Sequence, residues 1–150
     1  MQISSRFTVA VHVLLCIETF QDQRKVTSDF LASSVNANPV VIRKLLQQLK
    51  AAGLVRVARG TGGAARARSA DQITLLDVYR AVECLDGGEL FHFHEHPNPL
   101  CPVGRNIHAV LDARLAQIQA AMEREMASIT IQDLLKGIQK SAPQICSEKN

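Results

Sequence analysis

Residues 91–104, FHFHEHPNPLCPVG, place His92, His94 and His96 at alternate positions and end on Cys101, which Pro102 follows directly. These residue types support three readings. Alternating imidazoles in an extended segment share one side, and with Cys101 or His108 they form a donor set for zinc or another divalent ion. Proline suits the first position of a helix, so Cys101 falls at a helix N-cap. There the helix dipole and nearby Arg105 favour the thiolate, the form that oxidants attack. The third reading is a solvated connector. A nucleophilic enzyme would need oxyanion donors and an acidic partner beside the cysteine; neither motif accompanies it, and no enzyme is expected. His12 and Cys16, four residues apart, read as core residues.

The cysteines at 16, 84, 101 and 146 form no CxxC, which argues against a disulfide framework or a zinc ribbon. Reduced thiols and a cytoplasmic location are expected. The apolar run at 7–17 is too short to span a bilayer and lacks a cleavage site, so it reads as a buried helix and no membrane partner is expected. The length of 150 residues suits one ordinary domain, or a small one with an oligomerisation element. With 47% hydrophobic residues but only 4% aromatics, the core must be aliphatic.

The net charge of +3 is unevenly spread. Between residues 30 and 70 stand seven basic residues (Arg43, Lys44, Lys50, Arg56, Arg59, Arg66, Arg68) and no acidic one, whereas the remainder carries ten basic and fourteen acidic. A solvated face would mix the signs; a one-signed window is the footprint of a phosphate-binding surface.

The elements that must position these residues follow from local signals. A turn or short strand is expected near DQRKVT. TSDFLASSV reads as a short helix with Thr27 or Ser28 at the N-cap and Asp29 in the first turn. Asn38 caps a second helix with Pro39 at its first position; Ile42, Leu45, Leu46 and Leu49 form its inner stripe, and Gly53 stops it. Its outer face carries Val40, Lys44 and Gln47, flanked by Val41, Arg43 and Gln48. Two short helices of this kind make a helix-turn-helix. LVRVA, GTGG and AARAR then read as strand, tight turn and strand, a β-wing. Helix-turn-helix and wing coincide with the acid-free window. ITLLDVYRAV and ITIQDLLKGI each start with a Thr followed by Asp three residues on (Thr74/Asp77, Thr130/Asp133), a shared capping chemistry more than a repeat. Between them a long helix over 102–126 bears Ile107, Leu111, Leu115, Ile118 and Met122 in a narrow seam, the pattern of helix–helix dimers. The fold class is therefore mainly α with a small β-wing.

SSRFTVAVHVL, NPVVIRKLLQQLKAAGLV, RGTGGA and ITLLDVYRAVE, in this order over about half the chain, resemble the Rrf-two family of winged-helix transcription regulators. The resemblance implies a homodimeric repressor, held by the long helix, on a pseudo-palindromic operator in double-stranded DNA. It implies DNA contacts from Asn38, Val40, Val41, Arg43 and Lys44 at the start of the recognition helix and from Arg59 and Thr61 in the wing; Ser28 joins this set. Arg43 suits a bidentate guanine contact and Val40 or Val41 a thymine methyl, while Lys44, Arg59 and Thr61 suit phosphate or minor-groove contacts. Arg66 departs from the family, which usually has an apolar residue there. Cluster-binding relatives place three cysteines before the long helix. This chain has Cys101 there, so no iron–sulfur cluster or other cofactor is expected. The implied organisation is a DNA-binding domain (1–83), a sensor or connector loop (84–101), a dimerisation helix with a short C-terminal helix (102–140) and a tail (141–150). Cys101 is the redox-sensor candidate. The alternatives are a metal-responsive regulator using His92, His94 and His96 with Cys101, or a winged helix that binds protein or RNA.

Overall fold

The computed structural model describes residues 4–60, 62–83 and 88–142. The chain runs through α1 (Ser5–Phe20), α2 (Ser28–Val35), α3 (Pro39–Ala51), β1 (Val55–Val57), β2 (Ala64–Arg66), a 3-10 turn at Ala70–Gln72, α4 (Leu75–Val82), α5 (Pro102–Ser128) and α6 (Ile131–Ser141). Among the described residues no helix is long and apolar enough to cross a membrane.

Short polar side chains set the helix starts. Thr27 Oγ1 accepts from the Phe30 N–H at 3.2 Å and so is the cap of α2, and Asn38 Oδ1 accepts from the Val40 N–H at 2.9 Å ahead of Pro39. Each cap meets an N–H that its helix cannot satisfy internally. At the far end of α3, Gly53 adopts φ +74°, letting its N–H reach Lys50 O at 2.9 Å and the Leu54 N–H reach Leu49 O at 3.0 Å. This double bond is the Schellman closure, and buried Leu49 and Leu54 supply its apolar contact. The stripe Ile42, Leu45, Leu46 and Leu49 is buried as the spacing predicts.

The wing is an antiparallel pair in the register Val55↔Arg66, Arg56↔Ala65, Val57↔Ala64. The expected short strand before α2 is a single bridge, Val26↔Ala64, which attaches the wing to the helix-turn-helix. Around α1 pack α2, α3, α4, α6 and β2, so its apolar residues on several faces are all used.

The two echoing segments meet. Both form capping boxes, and Thr74 and Thr130 pair in an antiparallel bridge, with the Leu75 N–H on Ile129 O and the Ile131 N–H on Ile73 O, each at 2.9 Å. The bridge turns α6 back toward α1. Ile131 is fully buried there, with Leu134 and Leu135 packed against the same core. The unit expected over 102–140 thus divides at Ile129: α6 completes the core of the N-terminal part. By contrast α5 contains no buried residue. Ile107, Leu111, Leu115 and Met122 are half-buried, and Val103, Val110 and Ile118 are exposed.

Candidate nucleic-acid interface and sensor segment

The inner stripe of α3 dictates what its other face shows. With Ile42, Leu45, Leu46 and Leu49 turned inward, Val40 (66% exposed), Val41 (43%), Arg43 and Lys44 face solvent. Two valines left in water on a capped helix are unexplained by packing and suit apolar contact with base edges. Across a cleft of about 470 Å³ from α3 stands the wing; Ser28, Asp29, Arg43, Gln47, Lys50 and Arg59 line this cleft. The structure therefore gathers Ser28, Arg43 and Arg59 from the expected contact set onto one surface, with Asn38 fixing the start of α3. Thr61 lies outside the described residues. Gln47 and Lys50 join the lining; they stand four and seven residues beyond Arg43, a spacing that marks one helix face.

Not all seven basic residues of the acid-free window serve that surface. Arg66 turns toward α1: its guanidinium lies 2.9 Å from Glu18 Oε2 and its backbone N–H donates to Gln21 Oε1 at 3.1 Å. The arginine at this usually apolar position is a tie between wing and α1. Arg68 lies 3.9 Å from Asp77. Both carboxylate partners lie outside the acid-free window, so part of its positive charge is neutralised from elsewhere in the chain. Arg43 is held as well, with Nε donating to Ser28 Oγ at 3.2 Å and Nη2 to Asp29 Oδ1 at 3.4 Å.

The histidine-rich segment runs antiparallel along α5. At its start, Gln119 accepts from the Leu90 N–H at 3.0 Å and donates to Gly88 O at 2.8 Å. Farther on, the rings of Phe93 and His94 lie 5.6 and 6.0 Å from that of His108. At its end, the Leu100 N–H donates to Asn98 Oδ1 at 2.9 Å and the Cys101 N–H to Asn98 O at 3.2 Å. Gly104 is required here: a Cβ on it would stand 2.4 Å from Asn98 O. Gln119 also donates to Glu123, whose other oxygen takes Arg80 of α4 at 3.3 Å, so the segment is linked to the N-terminal part through α5.

Cys101 is exposed at the N-cap of α5, as its place before Pro102 predicts. Its side chain makes no capping hydrogen bond, but the N–H groups of Gly104 and, second, Val103 hold the thiol below its ordinary pKa. Arg105, expected from sequence to assist, is not among the causes. His92, His94 and His96 are exposed; His94 lies against His108, and His96 is 3.8 Å from Glu95. Among the described residues no three His, Cys, Asp or Glu side chains converge where a metal ion could sit. The other described cysteine, Cys16, is buried in α1, 3.2 Å from Ser34 Oγ. Among the described residues this donor set does not fit an iron centre.

Comparison with known proteins places these features together. Residues 3–137 match the model of the family Rrf2, described as an iron-dependent transcriptional regulator. YwnA of Bacillus subtilis (strain 168), named as an HTH-type transcriptional regulator, is 42% identical over 133 residues, covering 89% of this chain and 96% of its own. The crystal structure of a DNA-binding protein is 37% identical with a TM-score of 0.68, over 87% of this chain and 99% of that one. The IscR of T. potens, at 21% identity and a TM-score of 0.70 over 98% and 93% of the two chains, shares the fold. With the helix-turn-helix, the wing and the long helix all in place, the chain belongs to the Rrf2 family of DNA-binding transcriptional regulators.

Proposed function

We propose that this regulator is a homodimeric repressor that reads a pseudo-palindromic operator with one α3 per half-site, and that oxidation of Cys101 alters its grip on DNA. The observation that carries the DNA part is the exposed Val40–Val41–Arg43–Lys44 face of α3, with Arg43 lining one cleft together with Arg59 of the wing. Dimerisation draws support from α5, whose apolar seam has no buried member within one chain. A second copy laid along that seam removes Ile118 and its neighbours from water.

Within the interface, Arg43 supplies a guanine-reading fork, Val40 and Val41 the apolar contact, and Lys44 and Arg59 the phosphate or minor-groove contacts. The redox part rests on an exposed thiol whose thiolate is favoured by the start of α5. A peroxide transfers one oxygen to that thiolate, giving a Cys101 sulfenic acid and hydroxide.

Selection of bound duplexes from random DNA, with and without peroxide, tests both parts. A two-fold symmetric motif is expected, and Arg43→Ala should cost ~1–3 kcal/mol at one base pair and relax the preference there. A uniform loss on all sequences would reassign Arg43 to phosphate. If Cys101→Ser keeps the parent's affinity and peroxide response, the redox part fails.

A further inference from the structure

The DNA-facing cleft contains a carboxylate where a phosphate-binding surface should have none. Asp29 lies on the lining of this cleft, its side chain 77% exposed, among Arg43, Lys50 and Arg59. A negative charge there repels the DNA backbone and weakens sequence-independent binding. The α2 dipole does not account for its placement, since any first-turn position would serve, and Thr27 already caps the helix. What distinguishes position 29 is the reach to Arg43, fourteen residues away on α3.

The geometry of that contact decides which part of the guanidinium is left. Ser28 Oγ takes Nε at 3.2 Å and Asp29 Oδ1 takes Nη2 at 3.4 Å, so the pair occupies the Nε–Nη2 edge of the planar group. The opposite edge, formed by Nη1 and the second hydrogen of Nη2, keeps two parallel donors. That fork matches O6 and N7 of guanine in the major groove. An arginine without this hold swings on its flexible stem and finds a phosphate as readily as a base. The carboxylate also makes the spot a poor neighbour for a phosphate.

We infer that Asp29 is a positioning residue for sequence reading: with Ser28 it grips Arg43 by one edge and aims the other at a guanine. The inference rests on the assignment of Arg43 as a base contact. Asp29 thus exchanges general affinity for discrimination, an effect opposite in sign to that of the basic residues around it.

The test uses the full chain and the selected operator, with Arg43→Ala first locating the base pair that Arg43 reads. For the parent, Asp29→Asn, Arg43→Ala and the double variant Asp29→Asn/Arg43→Ala, affinity is measured on the operator, on the three substitutions of that pair and on an unrelated duplex. Asp29→Asn should reduce discrimination at that pair about tenfold, raise affinity for the unrelated duplex, and change no discrimination in the Arg43→Ala background. A merely structural Asp29 would instead lower all affinities together, and that result overturns the inference. Intact discrimination in Asp29→Asn, with Arg43→Ala still relaxing the pair, overturns it too while leaving Arg43 as a base reader. If Arg43→Ala loses affinity uniformly, the assignment of Arg43 falls and the inference falls with it.

Discussion

Arg66 on β2 and Glu18 on α1 form a 2.9 Å ion pair in which the arginine is half-exposed while the carboxylate keeps only 6% of its exposure. The wing's second strand is thereby bound to the central helix through a group that cannot be left alone. Arg66→Met strands a buried carboxylate and should lower the unfolding free energy by about 1–3 kcal/mol, a range reduced for the exposed half of the pair. Urea denaturation measures it. The double variant Glu18→Leu/Arg66→Met should recover most of the loss, and base preference should match the parent. Parent-like stability of Arg66→Met would reject the tie.

Ile131 provides a second check on the packing. It is fully buried against residues of α1 and the N-terminal core, although it stands beyond the long helix in sequence. Ile131→Ala should cost about 2–5 kcal/mol in chemical denaturation of the whole chain. Were α6 an independent appendage, the main unfolding transition would not move.

The thiol of Cys101 carries a pH signature. Its pKa is lowered in the fold, so alkylation by iodoacetamide should stay fast to a lower pH in the native protein than in the urea-unfolded chain. By linkage, the stability this group contributes is fully present above the unfolded thiol's pKa and disappears as pH falls through the lowered one. Coincident pH profiles for the native and unfolded chains would remove the helix start as a cause.

Gly104→Ala forces a Cβ to within 2.4 Å of the Asn98 carbonyl and should displace the turn that presents Cys101. Overpacking of this kind costs about 1–3 kcal/mol where the backbone cannot yield. The alkylation profile of Cys101 should change in the same variant. An unchanged profile would mean that the turn accommodates the methyl group freely.

Much of the DNA-binding half is legible in sequence because its signals are local. Asn38, Pro39 and Gly53 mark both ends of α3 within a few residues of where they act, and the Thr–Asp pairs mark α4 and α6. The ties that position the site are of another kind. Asp29 and Arg43 sit on different helices, Glu18 and Arg66 are 48 residues apart, and each pair looks in sequence like ordinary charge. The echo between 73–82 and 129–138 was visible, but that the two starts would bridge each other follows only from the return of the chain. In residues 88–101 the alternating histidines do not reveal the path, because the segment's order comes from Gln119, His108 and Gly104 on the helix it runs along.

The bridge between Thr74 and Thr130 is an anchor. It fixes the C-terminal end of α5 to the core, while the 27 residues of that helix extend away from it. At 1.5 Å per residue the arm is about 40 Å long, so a turn of about 5° at the bridge carries the Cys101 end through roughly 3–4 Å. The ties along the helix, Glu123 to Arg80 of α4 and Gln119 to Gly88 and Leu90, oppose that displacement.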